Sequence, residues 1–223
     1  MGAHIATNTV TRIMSDLSDF MLLQQWLSPA FPIGGFAYSH GLETLVAKGD
    51  IKSADDLAMW LRTLIEQGSI RSDASLLYRA FHAVDSEELL QIDAQARAFA
   101  TEIERRRETF LQGTDFTDTC NSIWKLDLPP MALPVAVGRA AKLKGISIET
   151  LQPLYLQSVV SNLISVAVRL VPLGQTEGQK VLTELTPMLL DVPCEEQLLF
   201  SNTFLWDQAA MQHETLQPKL FRS

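Results

Sequence analysis

Nineteen consecutive residues from Thr150 to Val168 carry no charge, and this stretch limits the fold more than any other part of the chain. A run close to the roughly 20 residues that cross a bilayer is either a membrane span or a helix shielded by protein. Gln152, Pro153, Gln157, Ser158, Ser161, Asn162 and Ser165 dilute its apolar character. The better reading is a helix at the centre of a helical bundle in a cytoplasmic protein, without a membrane partner. Val159, Val160, Leu163, Ile164, Ala167, Val168 and Val171 occupy most of its circumference. Ser158, Ser161, Asn162, Ser165 and Arg169 fall on one stripe. Each polar group buried without a partner costs about 1–3 kcal/mol. The stripe therefore faces hydrogen-bonding helices of its own core, a water-lined passage, or another subunit.

Helical signals follow one another along the rest of the chain. Residues 1–14 show no period and read as a disordered N-terminal segment, and Met14 offers an alternative start. Leu17, Phe20, Met21, Gln24 and Leu27 trace a first helix that ends before Pro29. Ser53 caps a second with Asp56 three residues on. Its apolar face is Leu57, Trp60, Leu61, Leu64 and Ile65, and Gly68 stops it. Leu76, Leu77, Ala80, Phe81 and Val84 form another stripe. Ser86 opens a long polar helix to about Gln112, with Glu102 and Arg106 paired at i, i+4 and the 104–108 charge run on a solvated face.

Pro134 suits the first turn of a helix ending near Gly145, and Ser147 caps the uncharged helix to about Val171. Thr176 and Gln179 form a capping box for the next, which Pro187 breaks. No sustained period-two alternation or hairpin signal occurs. The predicted fold is all-α: a single-domain compact bundle of roughly seven to ten helices, residues 15–210, with a tail at 211–223.

Composition excludes several functions. With 26 acidic against 18 basic residues, a net charge of −8 supplies no basic footprint for nucleic acid. Cys120 and Cys194 lie far apart with no nearby ligand partner, as expected of reduced thiols, and the four histidines are scattered. Neither a resident metal nor a stably bound cofactor is expected. The glycine loop Pro32-Ile33-Gly34-Gly35-Phe36 lacks the lysine and preceding strand of a phosphate cradle and reads as a tight turn with positive φ at glycine. His40 and Glu43 stand at i, i+3, the spacing of a general base and its orienter; a helical small-molecule enzyme built on them is a remote alternative. His213 and Glu214 are adjacent and diverge on a helix. The chain ends Leu220-Phe221-Arg222-Ser223, unusually apolar for a terminus. It either folds back on its own core or inserts into a partner.

Four ordered blocks carry a family resemblance. Residues 27–51 (LSPAFPIGGFAYSHGLETLVAKGDI) closely resemble the signature of the UreF urease accessory proteins. Residues 133–138 (LPVAVG), 166–179 (VAVRLVPLGQTEGQ) and 211–223 (MQHETLQPKLFRS) continue it. The resemblance implies a non-enzymatic maturation chaperone, all-helical and homodimeric. It implies a bridge between the UreD (UreH) accessory protein and the nickel-carrying GTPase UreG, enabling GTP-dependent nickel insertion into apo-urease. The tail then corresponds to the UreD-binding extension, with His213, Glu214, Leu220, Phe221 and Arg222 as its candidate residues and Phe221 and Arg222 as anchors. Related tails are expected to carry arginine where this chain has Gln212 and Lys219. Arg169 is the candidate contact to the GTPase, or an arginine finger if the protein accelerates GTP hydrolysis. Pro32, Gly34, Ser39, Gly41 and Glu43 belong to the signature loop and helix. Ser158, Ser161, Asn162 and Ser165 could line a passage that conducts nickel weakly, where histidine or thiolate rings would trap it.

Overall fold

The computed structural model describes residues 16–100 and 102–222, so the expectations for residues 1–14 lie outside the described residues. All regular elements among the described residues are helical. Helix α1 covers 16–26, and a 3-10 turn, Gly35–Ala37, follows. Then come α2 (Leu42–Lys48), α3 (Ala54–Gln67), α4 (Ser69–His82), α5 (Ser86–Phe99) and α6 (Ile103–Trp124). The chain closes with α7 (Leu133–Lys144), α8 (Ile148–Leu170), α9 (Gln175–Leu190) and α10 (Phe204–His213). The all-α bundle predicted from periodicity is thus the observed architecture.

Local chemistry explains most boundaries. Ser53 Oγ accepts the Asp56 N–H while the Asp56 carboxylate accepts that of Ser53, a complete capping box. Pro134 stands in the first turn of α7 and Gly145 ends it at φ 73°. Ser147 Oγ caps α8 through Thr150 N.

Some boundaries differ from the sequence-based reading. The expected helix from Ser86 to Gln112 is two helices, because extended backbone at Ala100 and Glu102 turns the chain before α6. Its cap is Asp85, whose carboxylate accepts the Glu88 N–H. Val84 lies beyond the end of α4 and is exposed rather than part of its apolar stripe. Nor is the 104–108 run a solvated face: Glu108 is fully buried and Arg105 largely so, while Arg106 and Arg107 are exposed. Glu102 is itself buried at the α6 N-cap. Helix α9 begins one residue before Thr176, and the Glu177 carboxylate accepts the Gly174 N–H in place of the expected box. It passes through Pro187 because Leu185 and Leu189 are both anchored in the core.

Helix α8 runs through the centre, packing on α2, α3, α4, α7 and α9. It is long and apolar enough to cross a bilayer by composition, yet half of its most apolar window is buried against the other helices. Helices α4 and α7 pack most intimately. A Cβ at Gly138 would lie 2.4 Å from the Leu77 carbonyl oxygen, so only glycine permits that approach. Trp26 makes edge-on contacts with Phe116 and Trp124 and closes the core beneath α1.

Candidate partner-binding site

Segments from opposite ends of the chain meet at the start of α2. Gly34 (φ 65°) opens the 3-10 turn, and His40 (φ 54°) and Gly41 (φ 82°) take left-handed conformations in succession before the helix. A Cβ at Gly41 would come within 2.7 Å of the Ala210 backbone, so α10 packs on this turn only because residue 41 is glycine. Trp206 of α10 donates its indole N–H to the His40 carbonyl at 2.6 Å. The same turn directs Glu43 inward, where it is 5% exposed. Buried Ser39 supports the turn, its Oγ lying 3.4 Å from the Glu43 nitrogen.

The Glu43 carboxylate holds the tail. It accepts the backbone N–H groups of Leu220 (2.8 Å) and Phe221 (3.0 Å), and His213 Nε2 lies 3.0 Å away. On its other side His213 Nδ1 is 2.7 Å from Glu104, which also pairs with Lys219 at 2.6 Å. Glu214 accepts the Ile103 N–H, and Arg222 N donates to the Ala37 carbonyl. Phe221 is buried, with the Arg169 guanidinium 4.7 Å above its ring. Arg169 also donates to the carbonyls of Phe36 and Ser165. Folding back on its own chain is therefore the conformation the tail adopts. Leu220, 74% exposed, and Arg222 are left at the surface, whereas Phe221, read as an anchor, is occupied within the molecule. Where arginines were expected, Lys219 still forms its ion pair and Gln212 accepts from Lys48.

A second polar cluster lies deeper. His40 Nε2 is 2.6 Å from Glu108, which also takes Arg105 (3.2 Å) and Gln112 (3.0 Å). Arg105 reaches Asp73 at 3.4 Å, and the Tyr155 hydroxyl donates to the same carboxylate. Burial raises the Asp73 pKa, partly offset by Arg105 and His40. Burial likewise raises the Tyr155 hydroxyl, reinforced by the charge of Asp73. For Arg105 burial opposes the charge, but Glu108 and Asp73 outweigh it and push its pKa up.

His40 and Glu43 do not form the acid–base pair their spacing suggested. The left-handed backbone at His40 puts it ahead of α2, so it turns to Glu108 while Glu43 turns to His213. His213 and Glu214 do diverge. Pro32 is exposed on the loop. Sequence reasoning missed Asp73, Glu104, Arg105, Glu108 and Tyr155. The signal available was the stripe Glu108, Gln112, Phe116 and Cys120 along α6, whose spacing of four marks a face that is in fact buried.

The polar stripe of α8 lines a cleft of about 320 Å³ bounded by α1, the 3-10 turn, α4, α6, α7, α8 and α9. Ser158, Ser161, Asn162 and Ser165 all border it, and Asn162 Nδ2 donates to the Gly35 carbonyl at 2.9 Å. Ser165 is exposed on its wall, and Arg169 is exposed one helical turn beyond. Among the described residues no three His, Cys, Asp or Glu side chains are grouped to hold a metal ion.

The comparisons with known proteins identify the family. The family model for UreF matches residues 51–186. The urease accessory protein UreF of Roseobacter denitrificans is 44% identical over 96% of this chain and 98% of its own length. That of Ruegeria pomeroyi is 42% identical over 91% of the chain and 96% of its own. That of Cereibacter sphaeroides is 42% identical over 91% and 98%. The chain belongs to the UreF family. Membership implies a role in urease maturation. Of the four blocks that carry the UreF resemblance, three meet at the tail site: the signature loop, the segment around Arg169 and the C-terminus. The fourth, 133–138, serves the close packing of α7 on α4.

Proposed function

We propose that this protein is a cytoplasmic maturation chaperone that bridges a UreD/UreH-type accessory protein to a nickel-carrying UreG-type GTPase. The homodimeric bridge enables GTP-dependent nickel insertion into apo-urease. The observation that carries the reading is the junction of tail, signature loop and Arg169, with Phe221 held between Glu43 and the guanidinium. A tail pinned there presents Leu220 and Arg222 outward to the first partner. Arg169, exposed one helical turn beyond Ser165 of the cleft wall, is open to the second. Because Arg169 donates to carbonyls of its own chain, service as an arginine finger would require those contacts to break. GTP turnover by UreG with wild type and Arg169→Ala separates that alternative: no acceleration leaves the scaffold alone.

The cleft wall of serines and Asn162 suits a passage that binds a hydrated nickel ion weakly, as oxygen and amide groups do. Co-purification with the UreD-type partner tests the bridge. Full-length protein is expected to form the complex and a chain ending at Met211 to lose it with helicity retained. Binding undiminished by that truncation would overturn the tail assignment. For the passage, Ser161→Leu with Asn162→Leu is expected to lower the nickel content of urease in an intact complex.

A further inference from the structure

His213, the last residue of α10, is fully buried, yet both of its ring nitrogens face acidic groups. Nδ1 lies 2.7 Å from Glu104 of α6, and Nε2 lies 3.0 Å from Glu43 of α2. A carboxylate accepts hydrogen bonds and has no hydrogen of its own to give, and a neutral imidazole has one N–H and one bare lone pair. Neutral His213 would therefore satisfy one acid and set its lone pair against the other, a costly arrangement away from water. Both contacts close only if the site holds one hydrogen more, whether it sits on the ring or is shared with an acid.

The surrounding charges do not supply a substitute. Lys219 of the tail reaches Glu104 at 2.6 Å and balances that acid alone. Lys48 of α2 goes to Gln212, and Glu214 turns away to the Ile103 N–H. Arg105, next to Glu104 in α6, is taken by Glu108 and Asp73, and His40 also faces Glu108. Asp207, at the other end of α10, accepts from Ser201 and Thr203. Two acids thus meet one lysine and one imidazole, and the extra proton completes the balance.

We infer that the tail is a proton-operated latch: docking of residues 213–222 takes up one proton at His213, and rising pH releases the tail. The inference rests on the reading of the tail as the partner-binding surface and adds its regulation. A histidine in water gives up its second proton around pH 6.5. Above that range the docked state binds one proton more than the released state, so docking weakens as pH rises, by at most about tenfold per pH unit. The Glu104 side chain, 19% exposed, is the acid free to turn toward water when the ring is neutral, and the end of α10 then loses its hold on α6. Leu220 and Arg222 are presented in one place only while the latch is closed.

The test reads hydrogen exchange at the Leu220 and Phe221 amides, the two that Glu43 accepts, in full-length protein, as protection factors corrected for the intrinsic effect of pH. Wild-type protection there is expected to fall about fivefold between about pH 7 and 8, while the amides of α8 hold theirs. Glu104→Gln offers Nδ1 an amide hydrogen of its own, so a neutral ring suffices and the pH dependence is expected to vanish. His213→Gln removes the titrating ring and carries the test if Glu104→Gln does not fold. Protection independent of pH in wild type, or an unchanged slope in either folded variant, would overturn the latch. Capture of the UreD-type partner is measured over the same pH range with wild type and the chain ending at Met211. Capture that weakens with rising pH in wild type and is lost on truncation supports the latch as the control of that surface. A truncated chain that captures the partner undiminished overturns the partner reading instead, with the pH-dependent exchange intact.

Discussion

Glu43 and His213 are separated by 170 positions, yet their side chains lie 3.0 Å apart and share the task of fixing the C-terminus. Glu43 accepts two tail N–H groups and faces the imidazole, so one buried carboxylate organises residues 213–221. Hydrogen bonds to a charged acceptor contribute about 1.5–3 kcal/mol each. Glu43→Gln replaces that charge by a single neutral acceptor. It is expected to cost about 2–3 kcal/mol in urea unfolding and to open residues 214–222 to limited proteolysis.

Gly41→Ala tests the approach of α10. The substitution meets a positive φ and backbone of Ala210 at 2.7 Å. Strain at such a position amounts to about 1–2 kcal/mol, and the contact adds to it. The expected outcome is a lowered melting temperature and faster amide exchange in α10 than in α8.

The Asp73 carboxyl has its pKa raised by burial, so between its ordinary value of 3.8 and the folded value the native state binds more protons than the unfolded chain. Stability contributed by this group therefore falls as pH rises through that window. Asp73→Asn removes the dependence. The stability of the variant relative to wild type is expected to grow from about pH 4 upward and then level off, as measured by urea unfolding at a series of pH values.

Burial pushes the Cys120 thiol up to about 12, and it is fully enclosed. Cys194 is only half-buried, although burial and Glu149 raise it too. One thiol per chain, Cys194, is expected to react with an aromatic disulfide reagent in the native protein and two after unfolding. Two fast-reacting thiols in folded protein would contradict the packing of α6.

The helices themselves were legible in the sequence because their causes are local. The Ser53–Asp56 box, Pro134 with Gly145, and Ser147 act within a few residues, and the polar residues diluting the uncharged stretch of α8 favoured a shielded helix over a membrane span. Resemblance blocks named the family and marked Glu43, Gly41, Arg169 and the tail. What they could not supply was that these residues touch. Which neighbour a charged side chain meets depends on chain segments brought together from distant parts of the sequence, 68 positions for His40 and Glu108 and 170 for Glu43 and His213. Glu108 read as solvated until α6 turned it toward His40, and His40 left Glu43 once a left-handed turn set it ahead of the helix. Propensity and capping are short-range and written in adjacent residues; the desolvation and pairing of buried charges are long-range, and only the tertiary structure decided them.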